Sequence, residues 1–130
     1  MHTKRDISLP KGREVKDSKI KYIKKLLGKL PIKRDMLIEA LHLIQDQEGY
    51  LSKDNIVVLA EIFNISRVEV YEVASFYHHF VILNEGEKPP NKIKIRICSG
   101  LSCEIRQSSI LKNLINEKFK DNFHIQSVPC

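Results

Sequence analysis

The chain has 130 residues, of which 42% are hydrophobic, and a formal net charge of +6, which suffices for one ordinary domain or two small ones with a real core. No apolar run reaches the roughly 18 residues that a membrane-spanning helix needs, and no apolar stretch follows the basic start Met1-His2-Thr3-Lys4-Arg5-Asp6. Direct membrane insertion and a secretory signal are both unexpected, and cytoplasmic placement is expected. The cysteine count is 3, odd, and all of them fall in the last third of the chain; this argues against a secreted disulfide framework and for thiols kept reduced as ligands.

In chain order, residues 1–12 read as a basic arm. Lys19, Lys21, Lys24, Lys25, Lys29, Lys33 and Arg34 concentrate much of the excess charge. They form either a solvated helix face or a docking surface for an acidic partner, with nucleic acid as a third reading. Apolar residues then recur at helical spacing. Ile20, Ile23 and Leu27 share one face, as do Leu37, Ala40, Leu41 and Ile44. Gly49 is placed to end the second helix, and Ser52 to cap a third carrying Ile56, Leu59, Ala60 and Phe63. Ser66-Arg67-Val68-Glu69 has the form of a reciprocal capping box ahead of a fourth stripe, Val70, Val73, Ala74 and Tyr77. Residues 13–84 are thus expected to form a helical bundle. The polar segment 85–91, with Gly86 and the pair Pro89-Pro90, is expected to be a linker.

Beyond the linker the period changes to two. Ile93, Ile95 and Ile97 alternate with Lys94 and Arg96, which predicts a strand. Leu111, Leu114 and Ile115 return to helical spacing, and Phe123 to Val128 predicts a second strand. Residues 92–130 therefore read as a β-α-β unit whose crossover requires parallel strands, and the fold class is α+β.

The chemistry lies in Cys98-Ser99-Gly100-Leu101-Ser102-Cys103 and Cys130. Cys98 follows the first strand, Cys103 opens the helix and Cys130 follows the second strand. In a parallel unit both strands end at one edge of the sheet, so the topology brings Cys98, Cys103 and Cys130 together. A helix N-terminus there would offer N–H donors and the positive end of its dipole to an anionic cluster. The C-x4-C spacing alone is a weak signal, and two structural cysteines remain an alternative. A redox disulfide between Cys98 and Cys103 would more usually show C-x-x-C. A zinc site of the three cysteines with His124 is disfavoured, because His124 falls at the opposite end of its strand. His78-His79 read as bundle-end or interface residues, since adjacent histidines cannot share a helical face. His2 and His42 read as surface or core residues.

Three stretches together resemble a known family: LHLIQDQEGYL from Leu41 to Leu51, VEVYEVASFYHHF from Val68 to Phe80, and IRICSGLSC from Ile95 to Cys103. The chain is similar to the thioredoxin-like [2Fe-2S] protein of NADH dehydrogenases, which is the small flavin-module subunit of bacterial complex I, with related domains in NAD-reducing hydrogenases and NAD-dependent formate dehydrogenases. The resemblance covers about residues 34–130. It implies a helical bundle ahead of a thioredoxin-like domain and a [2Fe-2S] cluster held by a C-x4-C and a C-x3-C pair. Cys98 and Cys103 match the first pair and Cys130 opens the second. The fourth ligand would fall four residues past Cys130, and only half of a thioredoxin fold is accounted for, so a longer protein is expected. The interval from Cys103 to Cys130 is shorter than in the usual complex I subunit and closer to versions fused ahead of a flavin-binding subunit.

The resemblance further implies one-electron exchange with a flavin, with FMN and NAD on a partner subunit or domain, and a place peripheral to the inner membrane where the complex is a membrane one. No catalytic residue is expected in this chain, and no G-x-G-x-x-G marks a nucleotide site. Two other readings compete. Leu59 to Ser66 followed by a helix suggests a helix-turn-helix regulator, but the second helix carries Glu69 and Glu72 with no Lys or Arg after Arg67, a poor match to phosphate. A structural assembly subunit without a cluster is the other.

Overall fold

The computed structural model describes residues 14–90, 93–119 and 123–129. The expected basic arm and Cys130 lie outside the described residues. Four helices, α1 (Asp17–Leu27), α2 (Leu37–Glu48), α3 (Lys53–Phe63) and α4 (Arg67–Phe76), are joined by short turns, with a 3₁₀ turn Arg34–Met36 leading into α2. The helical stripes close on one another. Ile23, Leu41, Ile44, Leu59 and Val70 are fully buried, and one apolar cluster links α1 through α4 to Phe80.

Local chemistry sets the helix ends. Gly49 sits at φ 82° and its N–H returns to Gln45 O at 2.7 Å, a left-handed C-cap that glycine adopts without a Cβ clash. Asn64 does the same for α3 at φ 53°, a position asparagine tolerates. The Ser52 hydroxyl accepts the N–H of Asn55 at 3.2 Å and the ammonium of Lys19 at 3.2 Å, so the α3 cap also ties α1 to the turn. Ser66 caps α4 through the Glu69 N–H at 3.1 Å. The expected reciprocal half of that box gives way to an ion pair, in which Arg34 Nε lies 2.6 Å from the Glu69 carboxylate. Tyr77, expected on the last helical stripe, falls just past the end of α4 and is exposed.

Two pairings of parallel strands complete the described residues. β1 (Leu51–Ser52) and β2 (Ile82–Leu83), absent from the sequence expectation, form a two-residue ladder that closes the end of the bundle. β3 (Lys94–Cys98) and β4 (His124–Val128) pair in parallel, with Lys94 opposite His124 and Cys98 opposite Val128. The crossover is two helices rather than the single one expected: α5 (Leu101–Ile105) and α6 (Ser108–Lys118). They are separated by Gln107 at φ 66°, ψ 36°. No breaker residue marks this bend, which is why the spacing concealed it. The apolar stripe of α6 is only partly covered: Leu111 and Leu114 are each about half exposed. Mixed helix and strand with small sheets is the α+β class expected.

Alternation along β3 sends Lys94, Arg96 and Cys98 to one face and Ile95 and Ile97 to the other. The second face meets α6, where Lys112 Nζ donates to Ser127 Oγ at 2.7 Å. The first face meets the bundle. Lys94 Nζ donates to the Gly49 carbonyl, and Arg96 Nη2 to the His79 carbonyl at 3.0 Å. The cysteine strand is therefore fastened to the bundle by two cationic side chains on the same face as Cys98.

Candidate functional site

Cys98 is the last residue of β3 and Cys103 lies in the first turn of α5, whose N-cap is Gly100. The loop 99–100 between them is tight. Ser99 N donates to Val128 O at 2.8 Å and its hydroxyl reaches the same carbonyl at 3.2 Å, so the loop is held to the end of β4. Gly100 N–H points back at Cys98 Sγ, 3.3 Å away, the kind of N–H to sulfur contact that stabilises a thiolate or a cluster sulfur. Both cysteines are partly buried, and both line one open depression of about 390 Å³ floored by Ile95, Leu111 and Ile115. Two soft sulfur donors and a directed N–H over an apolar floor suit an iron-sulfur cluster.

The donor set differs from expectation in one respect. α5 has five residues, too short for an appreciable helix dipole, so individual N–H groups such as that of Gly100 supply the polarity. Cys130 lies outside the described residues; β4 ends at Val128, opposite Cys98, so the chain leaves the sheet at the cysteine edge. Among the described residues no group of three or more His, Cys, Asp or Glu side chains is placed to hold a metal. His124 pairs with Lys94 at the far end of the ladder, four residues from Cys98 and so roughly 13 Å away at strand rise. That separation removes the zinc alternative built on it.

His78 and His79 lie in the turn after α4, at the end of the bundle as expected. The His79 ring packs against His42 at 4.7 Å between centroids, and His42 meets Phe80 edge-on at 4.9 Å. Burial holds the His79 pKa below its ordinary value, and the neighbouring Arg96, His42 and Lys94 add to the effect against the opposing charge of Asp46. Burial likewise lowers Lys94, with Arg96 contributing. The turn is pinned from beneath by Gln45, a buried amide that donates to His79 O at 2.9 Å and accepts Val81 N–H at 3.0 Å. Sequence reasoning missed Gln45, Lys94 and Arg96 as positioning residues. The available signal was a glutamine on the buried stripe of α2, next to Ile44.

The family model for the thioredoxin-like [2Fe-2S] ferredoxin matches residues 23–128. The chain belongs to that family. The match takes in the bundle from α1 onward as well as the cysteine unit. Among curated proteins the chain is 24% identical over 94 residues to an NADH-quinone oxidoreductase subunit of Mycobacterium bovis, covering 72% of this chain and 35% of that protein. It is 29% identical over 91 residues to the NADP-reducing hydrogenase subunit HndA of Solidesulfovibrio fructosivorans, covering 70% and 50%. With an NADH-quinone oxidoreductase subunit of Thermus thermophilus the identity is 25% over 103 residues, covering 78% and 54%. The chain thus spans about a third to a half of the length of these relatives. The resemblance drawn from the three sequence stretches and the iron-sulfur, oxidoreductase class it implied are borne out by these matches. No helix among the described residues is long and apolar enough to cross a membrane.

Proposed function

We propose that this chain is the electron-transfer part of an NAD(H)-linked oxidoreductase, holding a [2Fe-2S] cluster through Cys98, Cys103 and Cys130 with a fourth ligand from elsewhere. The observation that carries the reading is the shared depression of Cys98 and Cys103 at the end of a parallel ladder, in a chain of this family. When bound, the cluster supplies one-electron redox chemistry. The protein's own residues hold and tune it. Gly100 N–H faces a ligand sulfur, Ile95, Leu111 and Ile115 offer apolar contact beside it, and Lys94 and Arg96 fix the ligand strand on the bundle. In this reading the bundle of residues 13–84 is the platform, 85–91 the tether and 92–130 the cluster carrier.

The partner in this reading is a flavin-bearing, NADH-binding subunit or domain with FMN and NAD, and the assembly is cytoplasmic or peripheral to the inner membrane. The names of the relatives support a multisubunit setting of this kind. The outward face of α4 supports protein rather than nucleic acid as the partner, since it offers Val68, Tyr71 and Phe76 as exposed apolar groups beside Glu72.

Iron and acid-labile sulfide, counted in the full-length protein purified without oxygen, test the assignment. Two irons per chain, lost on replacing Cys98, Cys103 or Cys130 by alanine, are the expected result. Iron-free wild-type protein that assembles normally would point to the structural subunit instead.

A further inference from the structure

We infer that Arg106 raises the electron affinity of the cysteine-held cluster by placing a positive charge beside it; the inference rests on the cluster reading above. Cys103 and Arg106 are three residues apart across the single turn of α5 and its C-cap, a spacing that puts both on one side. Both line the depression of about 390 Å³ that also holds Cys98. The acidic residue between them, Glu104, lines a second depression with Cys98, Ser127 and Lys112, and its carboxylate accepts the hydroxyls of Ser108, at 2.8 Å, and Ser109. Arg106, not Glu104, shares a depression with both cysteines.

Gln107 follows in the left-handed region at φ 66°, and its N–H returns to Glu104 O at 2.9 Å. This reversal ends α5 with Arg106 as its C-cap. The other arginine on the depression, Arg96, already commits its guanidinium to the His79 carbonyl at 3.0 Å. Reduction adds one electron and one unit of negative charge to an already anionic cluster, so a nearby cation favours the reduced form and raises the midpoint potential. Arg106 is exposed, and the effect must weaken as salt screens it over about 10 Å at 0.1 M ionic strength.

The test is a dithionite redox titration of the full-length, cluster-loaded protein at low and high salt, for wild type, Arg106→Gln, Arg106→Met and Arg106→Lys. The expected result is a more negative midpoint for both neutral variants, largest at low salt, with Arg106→Lys close to wild type and iron content unchanged. A low-salt midpoint unshifted in whichever neutral variant carries iron overturns the inference. So does loss of iron from both neutral variants with retention in Arg106→Lys, which would make the residue a retention group. Absence of iron from the wild type overturns the cluster reading itself, and this inference with it.

Discussion

Gln107 holds a backbone conformation that costs an ordinary side chain about 1–2 kcal/mol relative to glycine, at φ 66°, ψ 36°. Gln107→Gly should therefore stabilise the protein by about 1 kcal/mol, after the extra unfolded-state entropy of glycine is subtracted, as read from urea denaturation. A loss of stability would mean that the glutamine side chain makes a contact worth more than the strain. His79 gives the chain a pH dependence of definite sign. Its pKa is held below 6.5 by burial and by Arg96, His42 and Lys94, so the unfolded state binds the proton more readily. Stability is then full above about 6.5, the ordinary histidine value, and falls as the pH drops through the lowered pKa. His79→Gln keeps the backbone carbonyl that Gln45 and Arg96 use, and should flatten the fall in thermal midpoint between neutral and mildly acid buffer. An unchanged slope would assign the acid sensitivity to other groups.

At the scale of elements, the joint between the bundle and the cysteine strand depends on the turn after α4. Gln45 satisfies both a carbonyl and an N–H of the 79–81 segment. Gln45→Leu leaves the Val81 N–H without that acceptor and should cost about 1–3 kcal/mol, with faster hydrogen exchange at Val81 as the local signature. Unchanged exchange there would show that the backbone ladder of β1 and β2 suffices. The helical stripes were legible because a 3.6-residue period is imposed by the same core that buries them: Leu37, Ala40, Leu41 and Ile44 are all buried as read. The parallel β3 and β4 pair was legible from a period of two and a long crossover. The two-residue β1–β2 ladder was not, since pairs this short carry no period. Lys94 and Arg96 read only as the polar positions of an alternating strand, and both reach bundle carbonyls. Alternation tells which residues share a face but not what that face meets.

For the molecule as a whole, the three stretches that carried the resemblance turn out to be parts of one construction. LHLIQDQEGYL supplies Gln45 and the Gly49 carbonyl, VEVYEVASFYHHF ends in the His79 turn, and IRICSGLSC supplies Arg96 and two of the cysteines. The docking contacts and two of the cysteines thus lie within the same three stretches. The cysteine convergence was legible from topology to the extent that Cys98 and Cys103 share a depression and Val128 lies opposite Cys98. The contribution of Cys130 is proposed on its place in the sequence. The central claim is that these sulfurs carry a two-iron cluster, and the EPR spectrum of the dithionite-reduced, full-length protein tests it most directly. A rhombic spin-one-half signal that disappears in Cys98→Ala while the bundle still folds is the predicted result. An EPR-silent, iron-free wild type with the same stability as Cys98→Ala would contradict it.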